Sequence, residues 1–231
     1  GGKRMLPGCK ERASGSGYLE RGIRADQQNR HGTAVRGTDG TFNRGISGYG
    51  IGFPSIRIEY YKWISGNEFR MKEKSYDREA AVEYARTWAF KRNPAYLDFE
   101  KLGGDCTNYA SQCLYAGCKT MNPAKTFGWY YYSANNRTPS WTGVRYLYDF
   151  LTKNKGVGPY ASETDRNRVN PGDIVQLGRA DGTFYHSPVI VAVTAEDIFV
   201  AAHSYDAYMR PLSSYTYDRA RFLHIAGVRT W

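Results

Sequence analysis

Three residues carry the chemistry open to this chain: Cys106, His186 and His203. Cys106 stands in the stretch Gly103-Gly104-Asp105-Cys106-Thr107-Asn108-Tyr109-Ala110-Ser111-Gln112-Cys113-Leu114-Tyr115-Ala116-Gly117. Two glycines release the backbone. Tyr109, Ala110, Cys113, Leu114 and Ala116 then recur at three- and four-residue intervals, the period of a helix buried on one side. Asp105 suits the N-cap and Gly117 the left-handed position just past the helix end. Cys106 therefore falls in the first turn, where unpaired N–H groups and the helix dipole favour a thiolate nucleophile. The competing reading is a small buried structural residue, since cysteine is among the most buried types. Its partners decide between the two.

A cysteine nucleophile needs a base in reach and a polar group to orient that base. The chain has four histidines. His31 lies in a Gly/Arg-rich region, and His224 lies in the apolar strand Phe222-Leu223-His224-Ile225, where a structural role is expected. His186 and His203 fall on a predicted hairpin, His186 to Val193 and Ile198 to His203, around Thr194-Ala195-Glu196-Asp197. Pairing Val193 with Ile198 puts Pro188 opposite His203. His186 and His203 then share a face as diagonal neighbours, roughly 7–8 Å apart by backbone. A slip of one residue breaks that arrangement. In it, His186 is the base and His203 fixes its tautomer, with Asp206 second choice as orienter. The Cys106 N–H and one further donor, Asn108 or Gln112, would meet the oxyanion.

The elements that must position these residues are helices first and strands second. Ser75-Tyr76-Asp77 caps a helix running to Arg92, with Ala81, Tyr84, Ala85 and Trp88 on one stripe and Asn93-Pro94 as its stop. After the Cys106 helix comes an aromatic loop, Phe127 to Tyr132, which with Trp141 either walls a cleft or fills the core. Ser140 caps a third helix carrying Val144, Leu147, Phe150 and Leu151, which Gly156-Val157-Gly158-Pro159 ends. Strands follow over Asp173 to Leu177, the hairpin, and Arg221 to Val228. Helices followed by an antiparallel sheet predict an α+β fold.

At 231 residues the chain holds one domain with a sizeable extension. Residues 1–72 are rich in Gly and Arg and carry 13 Lys+Arg against 6 Asp+Glu, so +7 of the net +10 lies there. They read as a basic extension, apart from a short alternating strand over Ile56 to Tyr60, and residues 73–231 as the domain. The surplus attracts polyanions or cell-wall polymers. Nucleic acid is not expected, because no basic stripe interleaves with aromatics. Cys9, Cys106, Cys113 and Cys118 show no metal spacing, and no cofactor is expected; Cys113 and Cys118 read as packing residues. No apolar run reaches about 18 residues, so no membrane span is expected.

Read in order, several segments resemble the bacterial amidase-domain family, of the NlpC-like, papain-fold cysteine hydrolases. They are Tyr76-Asp77-Arg78-Glu79-Ala80-Ala81-Val82, Asp105-Cys106-Thr107-Asn108-Tyr109 with Ser111-Gln112-Cys113-Leu114, and Ser140-Trp141-Thr142. Pro171-Gly172-Asp173-Ile174-Val175-Gln176, Tyr185-His186-Ser187, Ala202-His203-Ser204-Tyr205-Asp206 and Arg210-Pro211-Leu212-Ser213 continue the resemblance. It covers about Ser75 to Val228 and implies a papain-like core, with the nucleophile helix on a small antiparallel sheet. It implies amide hydrolysis with Cys106 as nucleophile, His186 as base and His203 as third polar residue. A cell-wall peptide or aminosugar-peptide substrate and a secreted or wall-associated bacterial protein are inferences from the family's relatives. The Cys-Gly-Ser-Cys-Trp signature of papain-type proteases is absent. Acyl transfer remains open, since one thioester serves both reactions. From another class, the fold is catalytically idle and the basic extension binds a polyanion.

Overall fold

The computed structural model describes residues 71–231. Cys9, His31, the strand expected over Ile56 to Tyr60 and nearly all of the 1–72 extension lie outside the described residues. Within them, the elements in chain order are β1 (Lys72–Lys74), α1 (Arg78–Trp88), α2 (Cys106–Cys118), β2 (Tyr131–Ser133), β3 (Asn136–Arg137), α3 (Pro139–Thr142) and α4 (Val144–Lys153). Then come β4 (Gly158–Thr164), β5 (Ile174–Gly178), β6 (Phe184–His186), β7 (Val189–Val193), β8 (Ile198–Ala202), β9 (Ala207–Pro211) and β10 (Arg219–Thr230).

Helix α1 starts where the Asp77 carboxylate accepts the Ala80 N–H at 2.9 Å, relieving one of the unpaired donors of the first turn. It ends at Trp88, four residues before the expected Arg92. The small side chains Ala81 and Ala85 are fully buried, which lets α1 approach α2 closely.

Helix α2 departs from its expected one-sided burial. Every residue from Cys106 to Cys118 except Tyr115 is buried, so the helix is enclosed all round. Gly117 lies inside it and not past its end. A Cβ there would come within 2.3 Å of the Tyr76 ring and 2.5 Å of the Asp77 carbonyl oxygen, so glycine serves close approach. Lys119, at φ 51°, takes the left-handed terminal position. Cys113 and Cys118 are buried in the core, as their packing role requires.

The single third helix expected from Ser140 is two, parted by Gly143. Ser140 does not cap; its Oγ donates to the Gly128 carbonyl at 2.5 Å. Trp129 and Trp141 are fully buried, with ring centroids 4.7 Å apart, and belong to the core and not to a cleft wall.

The main sheet is antiparallel in order β1-β10-β5-β7-β8-β9, with β4 also on β10 and β6 also on β5. Strands β1 to β4 and β9 lie outside the expected set, and the expected strand from His186 to Val193 is parted at Ser187-Pro188 into β6 and β7. The architecture is mixed α and β. Ile174, Val189, Val191, Ala201 and Leu223 share a core with Tyr109, Cys113 and Leu147 from the helices. The other face of the sheet buries Val175, Leu177, Ile190, Val200 and Phe222 with Leu212. At one end, Lys72 pairs with Thr230.

Candidate active site

The turn before α2 is built for tight passage. Gly103 and Gly104 have φ of 114° and 107°, and a Cβ on Gly104 would sit 3.2 Å from Ser204 Oγ. Ser204 Oγ accepts the Asp105 N–H at 2.8 Å and donates to Glu100 at 3.1 Å. The loop after β8 bends to make this grip: Ser204 and Tyr205 both take positive φ, 59° and 82°.

Asp105 occupies the N-cap position, yet its side chain makes no capping bond. Its fully buried carboxylate instead accepts from the Phe99 N–H at 3.0 Å and from Asn108 Nδ2 at 2.8 Å. His203 Nδ1 lies 2.6 Å from its second oxygen. His203 Nε2 lies 2.8 Å from the Trp88 carbonyl, and its ring stacks on Tyr109 with centroids 4.0 Å apart. Both ring nitrogens of His203 thus face oxygens, of Asp105 and Trp88, and the tautomer-fixing bond to His186 is not formed here.

The reason lies in the register. Val193 does pair with Ile198, but a bulge follows, and Ile190 pairs with Val200 and Val189 with Ala201. Continued along the hairpin, this sets Ser187, not Pro188, across from His203. Side chains alternate, so Ser187 and His203 face the helices and His186 faces the opposite way. Asp206, the second choice as orienter, is held elsewhere by a two-bond contact with Arg92 at 2.9 and 3.0 Å. Arg92 also approaches Asp98, Glu100 and Asp105 at 3.4–3.6 Å, tying this corner together by charge.

Cys106 is buried, 7% exposed, and its neighbour Thr107 reaches Ser187, the residue after His186. Thr107 Oγ1 lies 3.8 Å from the sulfur and donates to Ser187 Oγ at 3.3 Å. Burial pushes the Cys106 thiol up; the Ser187 and Thr107 bonds oppose this, and the Asp105 charge adds to it. Burial, helped by the Arg210 charge, lowers His186 from 6.5 to about 4. The resting groups at neutral pH are a thiol and a neutral imidazole, a base with its lone pair free. No hydrogen bond joins them in this structure; the His186 ring lies beside Tyr215, with centroids 5.9 Å apart.

The expected oxyanion donors fare differently. Both Asn108 Nδ2 hydrogens are engaged, by Leu97 O at 3.1 Å and Asp105, and its Oδ1 accepts from Trp141 Nε1 at 3.0 Å. Gln112 accepts from Tyr84 Oη at 2.7 Å, six residues beyond the sulfur. His224 pairs with Asp173 at 3.0 Å alongside Arg78, a structural cluster joining α1, β5 and β10. In the sequence Asp105 shows only a capping role, and nothing assigns a role to Thr107 or Ser187. The hydroxyl next to Cys106 was the one local signal; the partners lie about eighty and a hundred residues away. Among the described residues no group of three or more His, Cys, Asp or Glu could hold a metal ion, and no helix is long and apolar enough to cross a membrane.

Residues 75–226 match the family model described as "Putative amidase domain". Over 165 residues the chain is 34% identical to the uncharacterized protein YhbB of Bacillus subtilis, covering 67% of this chain and 52% of that protein. Over 164 residues it is 23% identical to the uncharacterized protein YjcM of the same organism, covering 68% of this chain and 37% of that one. The chain thus spans about half or less of the curated relatives it matches. No solved structure matches.

Proposed function

From the premise that this chain belongs to the family described as "Putative amidase domain", which makes amide hydrolysis its coarse function, we propose a cysteine-dependent mechanism on a papain-like core. The observation that carries it is the 3.3 Å bond from Thr107 Oγ1 to Ser187 Oγ, which ties the residue after Cys106, at a helix start, to the residue after His186.

In the proposed reaction the Cys106 thiol gives its proton to neutral His186, and Sγ bonds to the amide carbon. The developing oxyanion meets the Cys106 N–H at the start of α2. The carbon–nitrogen bond then breaks, His186 passes its proton to the leaving amine, and an acyl thioester remains. Water, deprotonated by His186, attacks the thioester; the products are a carboxylic acid and the restored thiol. The proposal requires the backbone of residues 185–187, at the junction of β6 and β7, to turn the His186 ring to the sulfur's side of the sheet when substrate binds. His203 is the third polar member and acts on Asp105, from the nucleophile's side. For the substrate we propose a peptide or aminosugar-peptide amide of the bacterial cell wall, which sets the protein outside the cytoplasm. The family resemblance supports this.

The test is turnover of a disaccharide-peptide wall fragment by the full chain, read by mass spectrometry as addition of water. Cys106→Ala and His186→Ala should each lower it at least about a hundredfold. Equal turnover by Cys106→Ala would reject the cysteine mechanism. Turnover of simple acylated peptides without turnover of the wall fragment would reject the substrate class alone.

A further inference from the structure

The Thr107–Ser187 contact beside Cys106 is itself held by a chain of polar groups that no step above uses. Gln176, on β5, is fully buried. One of its Nε2 hydrogens goes to the Val144 carbonyl at 2.9 Å and the other to Ser187 Oγ at 3.1 Å. Its Oε1 accepts twice from Arg221 on β10, from Nε at 2.8 Å and Nη2 at 2.5 Å. Arg221 is in turn clamped between two rings, its guanidinium carbon 3.5 Å from the Tyr148 centroid and 3.9 Å from that of Phe184.

We propose that Gln176 and Arg221 are positioning residues for the nucleophile: they lock Ser187, whose Oγ holds Thr107 beside Cys106 Sγ. The proposal rests on Cys106 as the reactive group. Register explains how three strands converge. Arg221 pairs with Gln176 across β10 and β5. Leu177 pairs with His186 across β5 and β6, so Gln176 stands level with Ser187. Every donor and acceptor of the Gln176 amide is used, so the side chain has one orientation. A cation on Oε1 draws electrons from the amide and strengthens the N–H it offers Ser187. Ser187 Oγ also receives Thr107, the neighbour of Cys106. The locked residue therefore reaches the nucleophile through Thr107, whose Oγ1 lies 3.8 Å from Sγ.

A structural role and a positioning role separate in one substitution. Gln176→Glu keeps the acceptor that Arg221 grips but has no N–H for Ser187. The experiment measures the rate at which iodoacetamide alkylates Cys106 in the folded full chain, by peptide mass spectrometry, from pH 6 to 10. Ser187→Ala, which removes the oxygen that receives Gln176 without adding charge, is measured beside it. We expect both variants to alkylate about tenfold more slowly than wild type below neutral-to-alkaline midpoints shifted upward. A variant with wild-type circular dichroism and an unmoved profile overturns the proposal. So does a loss of melting temperature with no change in the profile. If Gln176→Glu does not fold, Ser187→Ala and Arg221→Lys decide by the same reading. Alkylation needs no substrate, so a wall fragment left uncut would count against the proposed reaction and not against this lock.

Discussion

Nδ1 of His203 lies 2.6 Å from Oδ2 of Asp105, the residue directly before Cys106, and both side chains are only 1% exposed. This contact joins the end of β8 to the start of α2 across 98 residues of sequence. The backbone that presents Cys106 is therefore held by a buried polar pair.

Removing one partner of such a pair leaves the other buried and unpaired. Asp105→Ala and His203→Ala should each lower unfolding free energy by about 3 kcal/mol, read from urea titrations. Because each single change already breaks the shared contact, the double variant should cost at least about 1 kcal/mol less than the sum of the two. Additive losses would mean that the contact contributes nothing.

His186 gives a pH signature. Its folded value, about 4, lies below the unfolded 6.5, so between these values the unfolded chain binds more protons. Stability from this group is full above about 6.5 and is lost as pH falls toward 4. By pH 5 the loss should be about 2 kcal/mol. His186→Gln should remove that share of the acid sensitivity, seen as a smaller fall in melting temperature between pH 7 and 5. An identical fall in both proteins would contradict the burial of a neutral ring.

Two partial successes show what the sequence carried and where it stopped. The hairpin turn was legible because Thr194 to Asp197 interrupts two apolar runs, and Val193 pairs with Ile198 as read. The bulge at Val191 was not, since Val-Ile-Val-Ala-Val is apolar on both faces and marks no irregular position. That single extra residue turns His186 and His203 to opposite faces. Cys106 at the start of a helix was legible from the glycines and the apolar period. Its surroundings were not, because Asp105–His203 and Thr107–Ser187 are contacts between distant residues with no shared pattern. Strand β4 was hidden behind Gly158-Pro159, which read as a helix stop and is in fact the first pair of residues of an edge strand.

Tyr215 presents a buried hydroxyl with no hydrogen-bond partner. Deleting an oxygen that makes no bond loses nothing and removes a desolvation cost. Tyr215→Phe should therefore leave stability unchanged or raise it by up to about 1 kcal/mol. A clear loss, measured by the same urea titration, would show that the hydroxyl is bonded in solution.

Gly117 gives the opposite expectation. A methyl group there meets the Asp77 carbonyl oxygen at 2.5 Å, and a backbone atom has little room to retreat. Gly117→Ala should cost about 2 kcal/mol or more despite alanine's better helix propensity. A stabilised variant would refute the close approach of α2 to the start of α1.

The pairing of Lys72 with Thr230 has a topological consequence. The polypeptide comes into the sheet and goes out of it through neighbouring positions on adjoining strands, like the two leads of a plug. Further sequence can be attached on either side, or the two positions bridged by a short linker and the backbone opened in an exposed turn such as Asp181-Gly182, without redirecting any strand that holds Cys106. Evolution could seat such a unit inside proteins of very different length.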